Sequence, residues 1–143
     1  MKQFVVQMID NSISSQWWKK LMEYFVREGD TFGIRCWREE TAEIERVSLY
    51  GTAVDDKYEV SIKGVITKDL LKKLLAEEPA DKSIYNKMTE YFTIHVKNDL
   101  CDIWSEHYGT EMVIEIIADR DINFFEQIIG QYPESLSVTV ANE

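Results

Sequence analysis

The chain is poor in the residues that usually announce chemistry or staple a small fold. Of its 143 residues only two are cysteines, Cys36 and Cys101, far apart and outside any C-x-x-C or Cys/His ligand spacing, which argues against a zinc site. Two histidines, His95 and His107, leave little for acid–base work, and no serine or cysteine nucleophile is tied to either by pattern. Six glycines, at 29, 33, 51, 64, 109 and 130, form neither G-x-G-x-x-G nor a P-loop, so nucleotide cradling of those kinds is excluded. No apolar run approaches the ~20 residues of a membrane span. The opening MKQFVVQMIDN has one Lys and a short, interrupted apolar stretch, unlike a signal peptide. The expectation is a cytoplasmic chain in a reducing compartment, without a cofactor or metal and without catalytic residues. Positive charge is scarce too: 16 Lys and Arg stand against 26 Asp and Glu, a formal charge of −10. Such a chain is repelled by nucleic acid and by anionic membranes and is suited to a basic protein partner.

Hydrophobic material is plentiful. Apolar residues make up 45% and aromatics 12%, enough for one ordered domain over 1–143 that needs no disulfides. Period-two alternation marks six strands: Phe4-Val6-Met8, Phe32-Ile34-Cys36, Tyr58-Val60-Ile62, Phe92-Ile94-Val96, Met112-Ile114-Ile116 and Leu136-Val138-Val140. Helices are expected between them. Ser14 or Ser15 would cap the first, with Gly29 past its end, and Thr67 would cap KDLLKKLLAEE before Pro79. Asn98 would cap DLCDIWSEHY with Gly109 after it, placing His107 in the last turn, and Asp121 would cap INFFEQIIGQY before Pro133. EETAEIERVSLYG (39–51) reads as a short helix stopped by Gly51, and ADKSIYNKMTE (80–90) as a loop or one short helix.

Strands covered on both faces read as continuous apolar runs, and most of these do not. The pattern therefore implies an α+β two-layer sandwich: a mixed, mainly antiparallel sheet of about six strands with helices on one face. The other face would present Gln3, Gln7, Arg35, Trp37, Glu59, Lys63, Thr93, His95, Glu111, Glu115, Ser137 and Thr139. MIDNSISSQWWKKLMEYF echoes IADRDINFFEQII, which suggests two ferredoxin-like β-α-β units.

The stretch SSQWWKKLMEYF poses a packing question. With Trp17 at 0° on a wheel of about 100° per residue, Leu21, Phe25, Trp18 and Met22 fall between ~40° and ~140°, leaving Trp17 and Tyr24 on one margin. The apolar arc is about 200° wide, against ~100° or more for an ordinary surface helix. A second helix of the same chain or a partner protein must cover the margin.

Acidic residues follow strand ends, at Asp10, Asp99, Asp119 and Asp121. On parallel neighbouring strands they would gather to hold Mg²⁺ for phosphoryl transfer; on any other arrangement they are helix caps. Cys101 would be either a thiol activated at a helix N-terminus or a small apolar filler beside Trp104, and nearby Asp99 and Asp102 favour the second. The charge is uneven. Residues 39–59 carry seven acids against Arg46 and Lys57, and residues 98–126 carry eight against Arg120 alone.

In size, acidity, α/β pattern and aromatic content the whole chain resembles the small acidic immunity proteins that bacteria pair with toxic effectors, many of them nucleases. The resemblance rests on no motif and carries over no residue. It implies a non-enzymatic inhibitor, monomeric or homodimeric, whose acidic surface occludes a basic toxin domain. The residues expected to steer such a partner are Glu39, Glu40, Glu43, Asp55 and Asp56, with Trp17 or Trp37 as anchor. The alternatives are a metal-dependent phosphoryl-transfer enzyme using Asp10, Asp119 and Asp121, or a dimeric regulatory or small-ligand domain using the open sheet face.

Overall fold

A computed structural model describes residues 1–10, 12–79 and 86–141. The elements run β1 (Lys2–Met8), α1 (Gln16–Phe25), β2 (Thr31–Trp37), α2 (Thr41–Ser48), β3 (Gly51–Asp55), β4 (Glu59–Val65), α3 (Lys68–Ala76), β5 (Thr93–Lys97), β6 (Cys101–Glu106), β7 (Glu111–Ile116), α4 (Asp119–Ile129) and β8 (Leu136–Ala141). Among the described residues the fold is α+β, with four helices and one open sheet of eight strands in the order β3-β4-β2-β5-β6-β7-β1-β8. Every neighbouring pair is antiparallel, so the sheet is not mixed.

Two strands exceed the expected six. One is β6, in the segment expected to be a helix capped by Asn98. Along CDIWSE the residues alternate buried and half-buried, the signature of a strand with one covered face. Asn98 does use its cap chemistry: its Oδ1 accepts from the N–H groups of Leu100 and Cys101 at 2.8 and 3.0 Å. That Asx turn closes the β5–β6 hairpin instead of starting a helix. His107 accordingly lies in the β6–β7 turn, with φ of 51°, and not in a helix. The other extra strand is the sheet edge β3. Gly51 opens it, while the helix of the 39–51 segment ends earlier, at Ser48.

Counting antiparallel steps across the sheet shows how the helices connect. The β7-α4-β8 unit joins two strands that run the same way with β1 between them, and β4-α3-β5 does the same around β2. The β1-α1-β2 unit spans three intervening strands, so the two echoing segments do not form equivalent units. Of residues 80–90, the first six lie outside the described set and the remainder form no helix.

Buried hydrophobics form a single cluster. It draws one parity from the strands (Phe4, Val6, Ile34, Ile62, Ile94, Ile103, Ile114) and the apolar stripes of the helices (Leu21, Phe25, Leu70, Phe125). Helix starts agree only partly with expectation. Thr67 caps α3 by accepting from Leu70 N at 3.1 Å. Ser15 sits at the α1 cap but its hydroxyl donates to Glu78. Asp121 lies inside the first turn of α4. It is buried, and its Oδ1 accepts from Tyr24 Oη at 2.6 Å while Tyr24 stacks on Phe124 at 3.8 Å. These contacts tie α4 to α1.

That packing answers the question of the paired tryptophans. Trp17 and Trp18 are both fully buried, because α1 is flanked by α3 on one side and α4 on the other. Trp17 is therefore no surface anchor. No described helix is long and apolar enough to cross a membrane.

Candidate functional site

The side chains of opposite strand parity form the second face of the sheet. Cross-strand register sets them in rows. One runs Ser61-Arg35-Thr93, then Glu106-Glu111-Gln7-Ser137; the next runs Lys63-Gly33-His95-Trp104-Val113-Val5-Thr139. Thr93 is buried within this face, while Arg35, His95, Trp104, Glu106, Glu111 and Glu115 are half-exposed. Its charge is divided: Lys63, Arg35 and Lys97 stand on β4, β2 and β5 together with Glu59, and Asp102, Glu106, Glu111 and Glu115 on β6 and β7.

Register brings like charges together. Glu106 lies directly opposite Glu111, and Asp102 directly opposite Glu115. Facing like charges cost a sheet roughly 0.2–1 kcal/mol per pair. Partial relief comes from neighbours. The two Nη atoms of Arg35 lie 3.8 Å from Glu59 and Glu106, Thr93 Oγ1 donates to Glu106, and Gln7 Nε2 donates to Glu111 at 2.8 Å. Asp102 meets His95 Nε2 at 2.7 Å. A carboxylate only accepts, so this nitrogen carries the proton. The His95 ring also stacks on Trp104 at 3.7 Å.

At the end of the sheet where β2, β3 and β6 finish, aromatics form a rim. Phe92 packs on Trp37 at 4.9 Å and meets the edges of His107 and Tyr108. His107, Tyr108 and Gly109 all have positive φ, at 51°, 60° and 83°. Two consecutive non-glycine residues in that region store strain of order 1–2 kcal/mol each. The turn is held by Tyr108 N–H donating to Phe92 O, and by Tyr108 O accepting from Met88 N.

The residues expected to steer a partner divide into two groups. Trp37, Glu39, Glu40, Asp55 and Asp56 all belong to the sheet end just described, since β2 and β3 run the same way and both finish there. Within that group Glu40 is already engaged, accepting from Trp37 N and from Tyr108 Oη, both at 2.8 Å. Asp55 lies 3.5 Å from Arg38, which also donates to the Asp56 carbonyl. Glu39 stays exposed. Glu43 stands apart on α2, where it shares Arg46 with Glu77 and Glu90.

The aspartates of the phosphoryl-transfer alternative do not converge. β1 and β7 are antiparallel, so Asp10 and Asp119 follow opposite ends of the sheet, some seven residues or about 23 Å apart. Asp10 caps a turn instead, accepting from Ser12 N, Ser12 Oγ and Ser135 Oγ. Those bonds, the Ser12 hydroxyl's first, hold its carboxyl below the usual range. Among the described residues no group of three His, Cys, Asp or Glu is placed to hold a metal.

Both cysteines are buried and unpaired. Burial, reinforced by Glu40 and Glu43, pushes the Cys36 thiol up to about 12; burial, with Asp30 and Asp102, does the same to Cys101. The thiolate is the reactive form. Native protein at pH 8 should therefore leave Ellman's reagent unreacted over an hour, and two equivalents should react in guanidinium. Rapid native labelling would contradict the burial of either thiol.

Trp104, Asp102, Glu106, Gly33 and Ser61 were not among the residues expected on this face. All five follow from alternation: CDIWSE puts three on one parity, Gly33 shares the parity of Arg35, and Ser61 that of Lys63.

Compared with protein-family models, curated proteins and solved structures, the chain matches none of them.

Proposed function

We propose that this is a two-layer, non-enzymatic module that binds a basic protein, of the kind the resemblance to toxin-immunity proteins implies. The partner would dock on the sheet end carrying Trp37, Phe92 and His107. The observation that supports this is the facing of Glu106 and Glu111 beside that half-buried aromatic rim. A fold that retains facing carboxylates gives up stability there, and cationic side chains inserted between them would return it. Glu39, Asp55, Asp56 and Glu59 at the same end raise the encounter rate with a cation. Trp37 supplies the anchor that hot spots favour.

The test couples stability to binding. Glu106→Gln/Glu111→Gln should raise the unfolding free energy by a few tenths to about 1 kcal/mol. In affinity capture from the source organism, wild type should retain a basic protein whose binding weakens as NaCl rises. The double variant should lose it, and Trp37→Ala should weaken it ~30-fold or more. Equal capture by all three proteins would refute the assignment. A small-ligand role is the second reading, favoured by a cavity elsewhere on the same face.

A further inference from the structure

Five of the six glycines have a structural reason to be glycine. A Cβ on Gly51 or Gly64 would lie 2.5 Å from a carbonyl oxygen of the facing chain, and one on Gly130 2.9 Å from Glu126 O. Gly29 and Gly109 have positive φ. Gly33 has no such reason. It lies mid-strand in β2, between β4 and β5, with no positive φ, and a Cβ there would meet nothing within 4 Å. Glycine inside a strand is destabilising and often marks a bulge, a bend or the close approach of a ligand or another backbone. The pairing of β2 with β4 and β5 runs through Gly33 without a bulge, and no other backbone comes within 4 Å of its Cβ position.

The space above Gly33 is a cavity of about 220 Å³. It is walled by Lys63 and His95, the cross-strand neighbours of Gly33, and by Arg35, Ser61 and Trp104. That volume is below the 300–1,000 Å³ of drug-sized ligand sites, so it suits a head group, and an adjoining depression of about 480 Å³ that shares Gly33, Lys63 and His95 leaves room for more of a ligand. The lining is rich in donors. Lys, Arg and the indole N–H cannot accept, and Ser61 can donate. Among the described residues no carboxylate lines the cavity; Glu59, Glu106 and Asp102 contact its wall residues Arg35 and His95 from outside it. Lys63 makes no ion pair among the described residues, and Arg35, 3.8 Å from Glu59 and Glu106 and 3.5 Å from Thr93 Oγ1, has five N–H donors and so keeps some for a further acceptor.

We infer that the cavity over Gly33 binds an oxyanion head group, phosphate or carboxylate, on Lys63 and Arg35 with Trp104 alongside. The chain's charge of −10 makes this a directed site and not a general attraction. It lies over β4, β2 and β5 with Trp104 of β6 at its margin; it shares Arg35 with the Glu106 contact but needs no basic partner.

Gly33→Val separates the ligand from the fold. The added side chain fills the open space, and a β-branched residue suits a strand, so the melting temperature should rise by about 2–4 °C. The probes are inorganic phosphate, acetate and benzoate, followed by amide and indole NMR shifts at constant ionic strength, with chloride as control. Wild type should show saturable shifts at Gly33, Lys63 and the Trp104 indole with phosphate or with the carboxylates; which series saturates at lower concentration identifies the head group. Gly33→Val should abolish saturation, and Lys63→Gln should weaken it at least tenfold. Shifts that fail to saturate with any probe, that chloride reproduces, or that persist in Gly33→Val would overturn the site.

Discussion

Trp18→Ala is expected to cost about 3–5 kcal/mol, as large-to-small changes at buried aromatic positions do. Against a total of about 5–15 kcal/mol for a domain, that removes from about a fifth to all of the stability. The milder pair, Trp17→Phe and Trp18→Phe, is more informative. Both rings are fully buried, so both variants lose similar packing. They differ in hydrogen bonding. Trp18 Nε1 donates to the buried Ser105 Oγ at 3.0 Å, whereas Trp17 Nε1 is buried with no partner among the described residues. Trp18→Phe strands the Ser105 hydroxyl, while Trp17→Phe removes an unsatisfied donor. The Trp18 variant should therefore be the less stable by about 1–3 kcal/mol. Urea unfolding at 25 °C with unchanged slopes would measure it. Equal losses would mean that the Trp17 indole finds a bond after all, and the packing account of α1 would need revision.

The same helix shows what local pattern can and cannot report. Its apolar arc, some 200° wide, announced that more than the sheet covers it. Which neighbours do so is a matter of how α3 and α4 return over the sheet, and that depends on strand pairings far apart in sequence. Strong alternation made β1, β2, β4, β5, β7 and β8 legible. β6 was ambiguous because Leu100, Cys101 and Trp104 also fit a helical spacing, and Asn98 serves a helix cap or an Asx turn equally well. Length was the available discriminator: the alternating run Cys101–Glu106 is strand-sized and is bracketed by turn residues. β3 left almost no trace. Four of its five residues are exposed at the sheet edge, so burial imposed no pattern on GTAVD.

Reading β6 as a helix also hid the candidate sites. It moved Trp104 and Asp102 off the sheet and left Glu106 without its facing Glu111. Trp37 and Glu39, by contrast, were placed by their own strand and turn, and the topology brought Asp55 and Asp56 to them. Gly33 was visible as an interruption of FGIRCW. Whether that gap meant close backbone approach, as at Gly51 and Gly64, or open space required coordinates.

Alkali should unfold the protein well before pH 12. Three buried groups carry the effect: the thiols of Cys36 and Cys101, each moved from 9.0 to about 12, and the Tyr91 phenol, moved from 10.0 to about 12 by burial and Glu77 against the pull of Arg46. A raised value means that the fold favours the protonated form. Below pH 9 both states hold these protons and stability is complete. As pH rises from 9 to 12 the unfolded chain releases them and the native chain does not, so stability falls. Each thiol is worth at most about 4 kcal/mol over that span, so two thiols and one phenol rival the whole stability of a domain. Self-repulsion in a chain already at −10 acts in the same direction. The thiols' share is separable by slope. Between pH 9 and 10 wild-type stability should fall toward about 1.4 kcal/mol per pH unit for each thiol. Cys36→Ala/Cys101→Ala should fall much less steeply there, steepening as Tyr91 and the other tyrosines titrate. A slope equal to wild type in the double variant would show that the thiols do not drive the transition, whatever the variant's stability at neutral pH.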